Sequence, residues 1–200
     1  MIIKDLDLVD FQETHEAMQQ FTVQRDEHTK DECWLLEHKP VFTQGLNGKP
    51  EHIFDTKLIP VIATDRGGQV TYHGPGQLVV YTLFDLQRRH IGVREMVSRL
   101  ENTVITLLAE YDLVAQARSD APGVYIGDKK IASLGLRVKR GRCYHGISIN
   151  IDMDLTPFTY INPCGYQGME MVNLTSFISS ITMDEVKQKF ISALQSQMKQ

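Results

Sequence analysis

The chain is short of the residues that build covalent or metal scaffolds. It has three cysteines in 200 residues, Cys33, Cys143 and Cys164, and they are widely spaced. No C-x-x-C pair occurs, so neither a zinc ribbon nor a dithiol redox centre is indicated. In a reducing compartment these are thiols, and a free cysteine is most often a small buried hydrophobe. Cys33, inside the apolar run Cys33-Trp34-Leu35-Leu36, fits that role, and so does Cys143. Basic excess is lacking too: the formal net charge is −4, which argues against a general nucleic-acid binder. No apolar run approaches the ~20 residues of a membrane helix. The first residues, Met1-Ile2-Ile3-Lys4-Asp5-Leu6-Asp7, turn acidic too soon for an export signal, so the cytoplasm is the expected location. No G-x-x-x-x-G-K-[ST] loop, linker, repeat or low-complexity tract is found, and one domain over residues 1–200 is expected.

What remains is an ordinary globular composition with 42% hydrophobic residues. The pattern predicts a first helix from Asp10 to about Lys30, capped by Asp10 with Glu13 following, and with Phe11, Ala17, Met18 and Phe21 inward. Short strands are expected at 33–37, 40–43, 61–64, 70–73 and 78–84, with a loop over 44–59. The clearest helix spans about Val93 to Tyr111, where Met96, Val97, Leu100, Val104, Leu107 and Leu108 recur at helical spacing. Arg94, Glu95, Arg99, Glu101 and Glu110 are assigned to its wet side. Strands follow at 123–126, 130–138 and 143–151, joined by hairpin-like turns at Gly127-Asp128 and Arg140-Gly141. A short turn or helix is expected at 155–161, and Thr182 caps a last helix with Val186, Phe190, Ile191, Leu194 and Met198 inward. Clustered strands between three separated helices indicate an α+β fold with a mixed, largely antiparallel sheet.

The stretch from Arg66 to Leu78 holds four glycines and one proline, and an apolar run follows at once. Such a loop lets backbone N–H groups approach a ligand without a Cβ in the way. A second marked stretch is Asn162-Pro163-Cys164-Gly165-Tyr166. Pro163 fixes its own φ and Gly165 can take conformations closed to other residues, so together they can hold a thiol at a fixed exposed turn. A free thiol has a pKa of about 8.5 and needs a base or a cation to act as a nucleophile. Lys129, Lys130, His73 and His145 are the candidates, whereas His15, His28, His38, His52 and His90 are assigned structural or merely exposed roles. A lysine that opens an apolar strand, as in Lys129-Lys130-Ile131-Ala132-Ser133-Leu134-Gly135, can be partly desolvated, which favours the neutral amine.

Taken together, these segments resemble the lipoyl(octanoyl) transferase family. Arg66-Gly67-Gly68, Thr71-Tyr72-His73, Pro75-Gly76-Gln77-Leu78, Lys130 to Gly135, His145-Gly146, Asn150 with Asp154-Leu155, and Pro163-Cys164-Gly165 follow its motifs in order. The resemblance covers roughly residues 10–175, and the spacing from Lys130 to Cys164 also agrees with it. It implies a biotin/lipoate protein ligase-like catalytic domain. The implied chemistry is octanoyl transfer from octanoyl-acyl carrier protein, through a thioester on Cys164, to a specific lysine of lipoyl-carrier domains. Those carriers are the lipoyl domains of 2-oxoacid dehydrogenases and the glycine cleavage H protein. Lys130 would manage the proton. No metal or cofactor is implied beyond the phosphopantetheine arm carried by the donor.

The resemblance places substrate-binding residues at Arg66, Gly67, Gly68, Gln69, Val70, Thr71, Tyr72 and His73, at Ser133, Leu134 and Gly135, and at Gly146, Ile147 and Ser148. His145, Gly76 and Gln77 are auxiliary. For His73 and His145 both a structural hydrogen bond and direct proton transfer stay open. Met169 and Met171 are expected in core packing rather than in an acyl pocket. The basic cluster Arg137, Lys139, Arg140 and Arg142 is either a docking face for an acidic carrier or a solvated hairpin.

Overall fold

A computed structural model describes residues 1–199. In chain order the elements are β1 (Ile2–Val9), α1 (Phe11–Gln24), β2 (Glu32–His38), β3 (Val41–Gln44), β4 (Val61–Ala63), β5 (Val70–His73), β6 (Gln77–Asp85), α2 (Val93–Ala109), β7 (Gln116–Ala117), β8 (Gly123–Ile126), β9 (Lys129–Lys139), β10 (Arg142–Asn150) and α3 (Met183–Gln197). Short 3-10 turns punctuate the loops, including Thr156–Tyr160 and Pro163–Gly165.

The main sheet has strand order β1-β2-β6-β10-β9-β8-β7, antiparallel except where β1 lies parallel to β2. A second sheet of order β4-β3-β5 is also mixed. Both faces of β6 are buried, which accounts for its unbroken apolar run. Leu78, Val80 and Phe84 face the core under α2 and α3, with Leu35, Cys33 and Ile147. The alternate residues Val79, Tyr81 and Leu83 pack with Met18 of α1, Trp34 and Tyr144. The smaller sheet closes its own cluster of Phe42, Val70, Tyr72, Met153, Phe158 and Ile161. α2 buries Met96, Leu100, Val104, Leu107 and Leu108 completely. Each such side chain contributes about 1.5–3 kcal/mol over the exposed state, before the entropy of ordering is counted.

Several expectations need correction. α1 ends at Gln24 and not near Lys30, because the buried Arg25 turns extended to reach Leu83 O and Asp31, and Asp26 closes a turn on His28 and Thr29. Ala17 is exposed and Phe21 half-buried; the inner face is Phe11, Thr14, His15, Met18 and Thr22. That face is polar because α1 covers a site as well as a core. Glu101 is not on the wet side of α2: it is buried and accepts the Gly123 N–H at 2.9 Å. Val93 is exposed. β1 lies at the sheet edge and was not anticipated, since its burial alternates too weakly to leave a period-2 signal. Among the described residues no helix is long and apolar enough to cross a membrane.

Candidate active site

Lys130 is the second residue of β9. Its N–H donates to Glu170 O at 2.8 Å, and its carbonyl accepts from Val172 N at 3.1 Å. This parallel bridge zips the segment after the Cys164 turn onto β9, and so brings together two residues far apart in sequence. The Lys130 side chain is wholly buried, which is rare for a lysine without partners. Its Nζ donates to Cys164 Sγ at 3.3 Å and lies 5.4 Å from the Tyr125 ring centre. The Glu101 carboxylate adds a nearby negative charge. Gly123, at φ +139°, makes room: a Cβ there would stand 2.5 Å from Lys130 Cε.

Cys164 has φ +56° and ψ 16°, a left-handed conformation that costs a non-glycine residue about 1–3 kcal/mol. Gly165 follows at φ +79°, and a Cβ on it would meet Gln69 Nε2 at 2.2 Å. The turn thus presents the thiol between a strained backbone and the Gln69 amide. Cys164 is half-buried, whereas Cys33 and Cys143 are inside the core. Burial pushes those two thiols up to about 12 and about 11, so neither is a nucleophile at neutral pH.

Cys164 borders a cleft that holds about 490 Å³ of empty space, part of it open to solvent. The predicted residues Arg66, Gly68, Gln69, Thr71 and His73 form one wall of it. Ser133, Leu134, Gly135, His145, Gly146, Ile147 and Ser148 form the other. Gly67, Val70, Tyr72, Gly76 and Gln77 do not line it. The alternation of β5 sends Thr71 and His73 into the cavity and Val70 and Tyr72 to the opposite cluster. Gly67 instead donates its N–H to Leu136 O at 2.9 Å, tying the glycine loop to β9. Gly76 donates its N–H to Glu37 Oε2 at 2.6 Å, in a turn outside the cavity. Met171 packs with the small-sheet cluster, as expected; Met169, also expected in core packing, instead borders an outer pocket with Tyr166 and Phe177. Phe11, Val79 and Tyr81 line the cavity although no motif marked them. Their signal was weak: an inward position on α1 and alternate positions of β6.

Arg66 is buried and largely a structural clamp. Its Nη2 donates to Thr43 O at 2.7 Å and to Gln69 O at 2.8 Å, and its Nη1 donates to Gly67 O at 2.9 Å. Burial lowers it to about 10, with Cys164 acting in the opposite sense, and it stays charged at neutral pH. Two buried cavity atoms, Gln69 Oε1 and Thr71 Oγ1, have no hydrogen-bond partner.

The proton state of His73 follows from its neighbours. Asn150 Nδ2 donates to Val172 O at 3.2 Å, leaving Asn150 Oδ1 to accept from Gln77 Nε2 at 2.9 Å. Gln77 Oε1 must then accept from His73 Nδ1 at 2.6 Å. The proton is on Nδ1, and Nε2 keeps a lone pair. Burial, with His38 and Arg66 nearby, lowers His73 to about 3, so it is neutral in the working range. Gln77 therefore acts behind the cavity wall, through His73. His38 is held in the same way: its Nδ1 donates to Val9 O, and its Nε2 accepts from Tyr81 OH at 2.6 Å.

His145 interrupts β10 with φ +60°. A regular strand sends neighbours to opposite faces, yet Tyr144 and His145 stack at 5.1 Å on the same face. Burial lowers His145 to about 4 against the pull of Asp65, which lies 3.1 Å from its Nε2. Burial alone would push the Asp65 carboxyl up, but bonds from His145, Tyr144 and His15 hold it well below the usual carboxylate range. His15, expected in a structural or merely exposed role, is buried in this group. The basic cluster divides: Lys139 and Arg140 are exposed, while Arg142 Nη1 donates to Arg25 O at 2.7 Å.

The model of the lipoyl protein ligase A/B catalytic domain matches residues 11–195. An octanoyltransferase of Chromobacterium violaceum is 54% identical over 194 residues, 97% of this chain and 94% of its own. One of Legionella pneumophila (strain Lens) is 52% identical over 199 residues and the whole of both chains. One of Neisseria meningitidis serogroup C is 56% identical over 191 residues, 95% of this chain and 92% of its own. Among solved structures, a lipoate-protein ligase A bound with ATP superposes with TM-score 0.82 at 15% identity, over 99% of this chain and 85% of that one. A biotin protein ligase from Aquifex aeolicus in complex with biotin and ATP gives 0.63 at 13%, over 99% and 70%. These two likenesses establish the fold, and the sequence relatives narrow it: the chain belongs to the lipoyl protein ligase A/B catalytic-domain family and, within it, to the octanoyltransferases.

Proposed function

We propose that the protein is an octanoyltransferase of protein lipoylation that works through a Cys164 acyl-enzyme with Lys130 as its proton carrier. One observation carries this reading: the buried Lys130 Nζ stands 3.3 Å from the only cysteine that borders the cavity among the described residues. The names of the full-length relatives support the reaction class. In the first half, Lys130 takes the thiol proton and the sulfur attacks the thioester carbonyl of octanoyl-acyl carrier protein. A C–S bond forms to Cys164, the bond to pantetheine breaks, and the Lys130 proton passes to the departing thiolate. In the second half, a lysine ε-amine of a lipoyl-carrier domain attacks the new thioester. An amide C–N bond forms, the bond to Cys164 breaks, and the amine proton returns to the dyad.

Thioester exchange is nearly balanced in energy, and thioester to amide runs downhill, so the scheme calls for neither ATP nor a catalytic metal. Phosphopantetheine arrives with the donor. The unpartnered Gln69 Oε1 and Thr71 Oγ1 are placed to accept N–H groups of the pantetheine arm or the incoming amine. His73, neutral and with a free Nε2, serves as an acceptor and not as an acid. The test is transfer from octanoyl-acyl carrier protein to an apo lipoyl domain in ATP-free buffer. Amide formation that iodoacetamide abolishes is expected. Transfer that requires ATP and free octanoate, and that survives alkylation, would instead indicate ligase chemistry.

A further inference from the structure

Side chains from α1, the loop before β5, and β10 bring three ligand atoms together around His145. His15 Nε2 and His145 Nε2 each stand 3.1 Å from the same oxygen, Asp65 Oδ1. All three atoms lie within 4.8 Å of one another. Both neutral imidazoles can donate to Asp65 Oδ1 while the Tyr144 hydroxyl and Gln19 Nε2 donate to Oδ2, so the two Nε2 atoms and the carboxylate are already held converging on one point.

A cation at the centre would take the place of those two imidazole protons, with both Nε2 lone pairs and the carboxylate oxygen pointing at it. We propose that His15, Asp65 and His145 form a binding site for one Zn²⁺ ion. Ligands about 2.0–2.2 Å from a tetrahedral zinc stand roughly 3.3 Å from each other, close to the two 3.1 Å separations from Asp65 Oδ1. The imidazole centroids are 5.1 Å apart and tilted by 37°, a separation compatible with two rings converging on one ion. The outer shell is in place: Asp65 Oδ2 is held by the Tyr144 hydroxyl and by Gln19 Nε2. Thr64 Oγ1, 3.4 Å from His145 Nε2, marks the side left for a fourth ligand. An ion can enter from an outer pocket of about 760 Å³ bordered by Gln19, Asp65 and Tyr144. Arg137 and Lys139 also border that pocket, which disfavours a hard ion held by charge alone and leaves one held by directed nitrogen ligands. No zinc motif announces this site, since its residues are 50 and 80 positions apart. The ion would tie α1 to β10 across the cavity and replace the hydrogen bond that now holds His145.

The site is tested by titrating Zn²⁺ against a chelating dye at neutral pH, using Cys164→Ala protein so that no active-site thiolate competes. One ion per chain is expected, with affinity lowered at least about 100-fold in His15→Ala and in Asp65→Asn. His15→Gln serves if His15→Ala fails to fold. Zn²⁺ should also raise the melting temperature of the Cys164→Ala protein and leave the Asp65→Asn version of it unchanged. Absence of stoichiometric zinc, binding indifferent to both substitutions, or an equal rise with Mg²⁺ overturns the proposal.

Discussion

At the scale of residues, the site depends on a lysine that has given up its hydration to stand beside a thiol. Replacing it by an apolar side chain of similar length should spare the fold and remove the proton carrier. Lys130→Met is expected to slow acyl-enzyme formation about 10²–10⁴-fold in single-turnover kinetics while the melting temperature stays near that of the parent. A near-parental rate assigns the proton to another group. The buried imidazoles give a second prediction. His38, His73 and His145 lie at about 4, 3 and 4 when folded, against an ordinary value of 6.5. Unfolding frees them to bind protons below that ordinary value, so their contribution is complete above pH 6.5 and is lost as pH falls toward 4. Stability should drop by a few kcal/mol per pH unit at the steepest, and the depressed Asp65 carboxyl adds its own loss at still lower pH. Denaturant midpoints that are flat between neutrality and pH 5 would contradict the buried, neutral imidazoles.

At the scale of elements, the Cys164 turn and the segment that zips onto β9 set the geometry. Gly165→Ala would force a Cβ against Gln69 Nε2 at a left-handed φ. We expect acyl-enzyme formation to fall about 10–100-fold as the thiol shifts, with a modest loss of melting temperature. An unchanged rate would show that the turn tolerates displacement. Much of this scaffold was legible in the sequence. β5 and β8 fall where the β-branched runs predict them, and Gly127 and Arg140-Gly141 take the positive φ that their hairpins demand. Asp10 and Thr182 cap α1 and α3 through their side chains. What escaped was decided by tertiary contact. Arg25 ends α1 because Leu83 and Asp31 bind it, and β1 exists because β2 offers an open edge. His145 faces the cavity only because one residue of β10 breaks the strand alternation, which no periodicity reveals.

At the scale of the whole molecule, Pro163 and Gly165 mark the thiol turn in the sequence, but only the family resemblance singles out Lys130 from Lys129, His73 and His145 as its partner. The cluster of His15, Asp65 and His145 was not legible, because it depends on where α1 lands on the sheet. Lys139 and Arg140 are exposed on a chain of negative net charge. If an acidic carrier protein docks there, Lys139→Glu with Arg140→Glu should raise the KM for it several-fold and flatten the salt dependence, with kcat little changed. Arg142 is left out of that test because it anchors the end of α1. Unaltered kinetics across ionic strength assigns those charges to solvation alone.

The most direct measurement is the intact mass of the protein after brief incubation with octanoyl-acyl carrier protein in the absence of ATP. The account predicts a single added octanoyl group, located on Cys164 by peptide mapping, absent in Cys164→Ala and slow to appear in Lys130→Met. Transfer to the acceptor lysine with no such adduct, or an adduct that persists in Cys164→Ala, would contradict it.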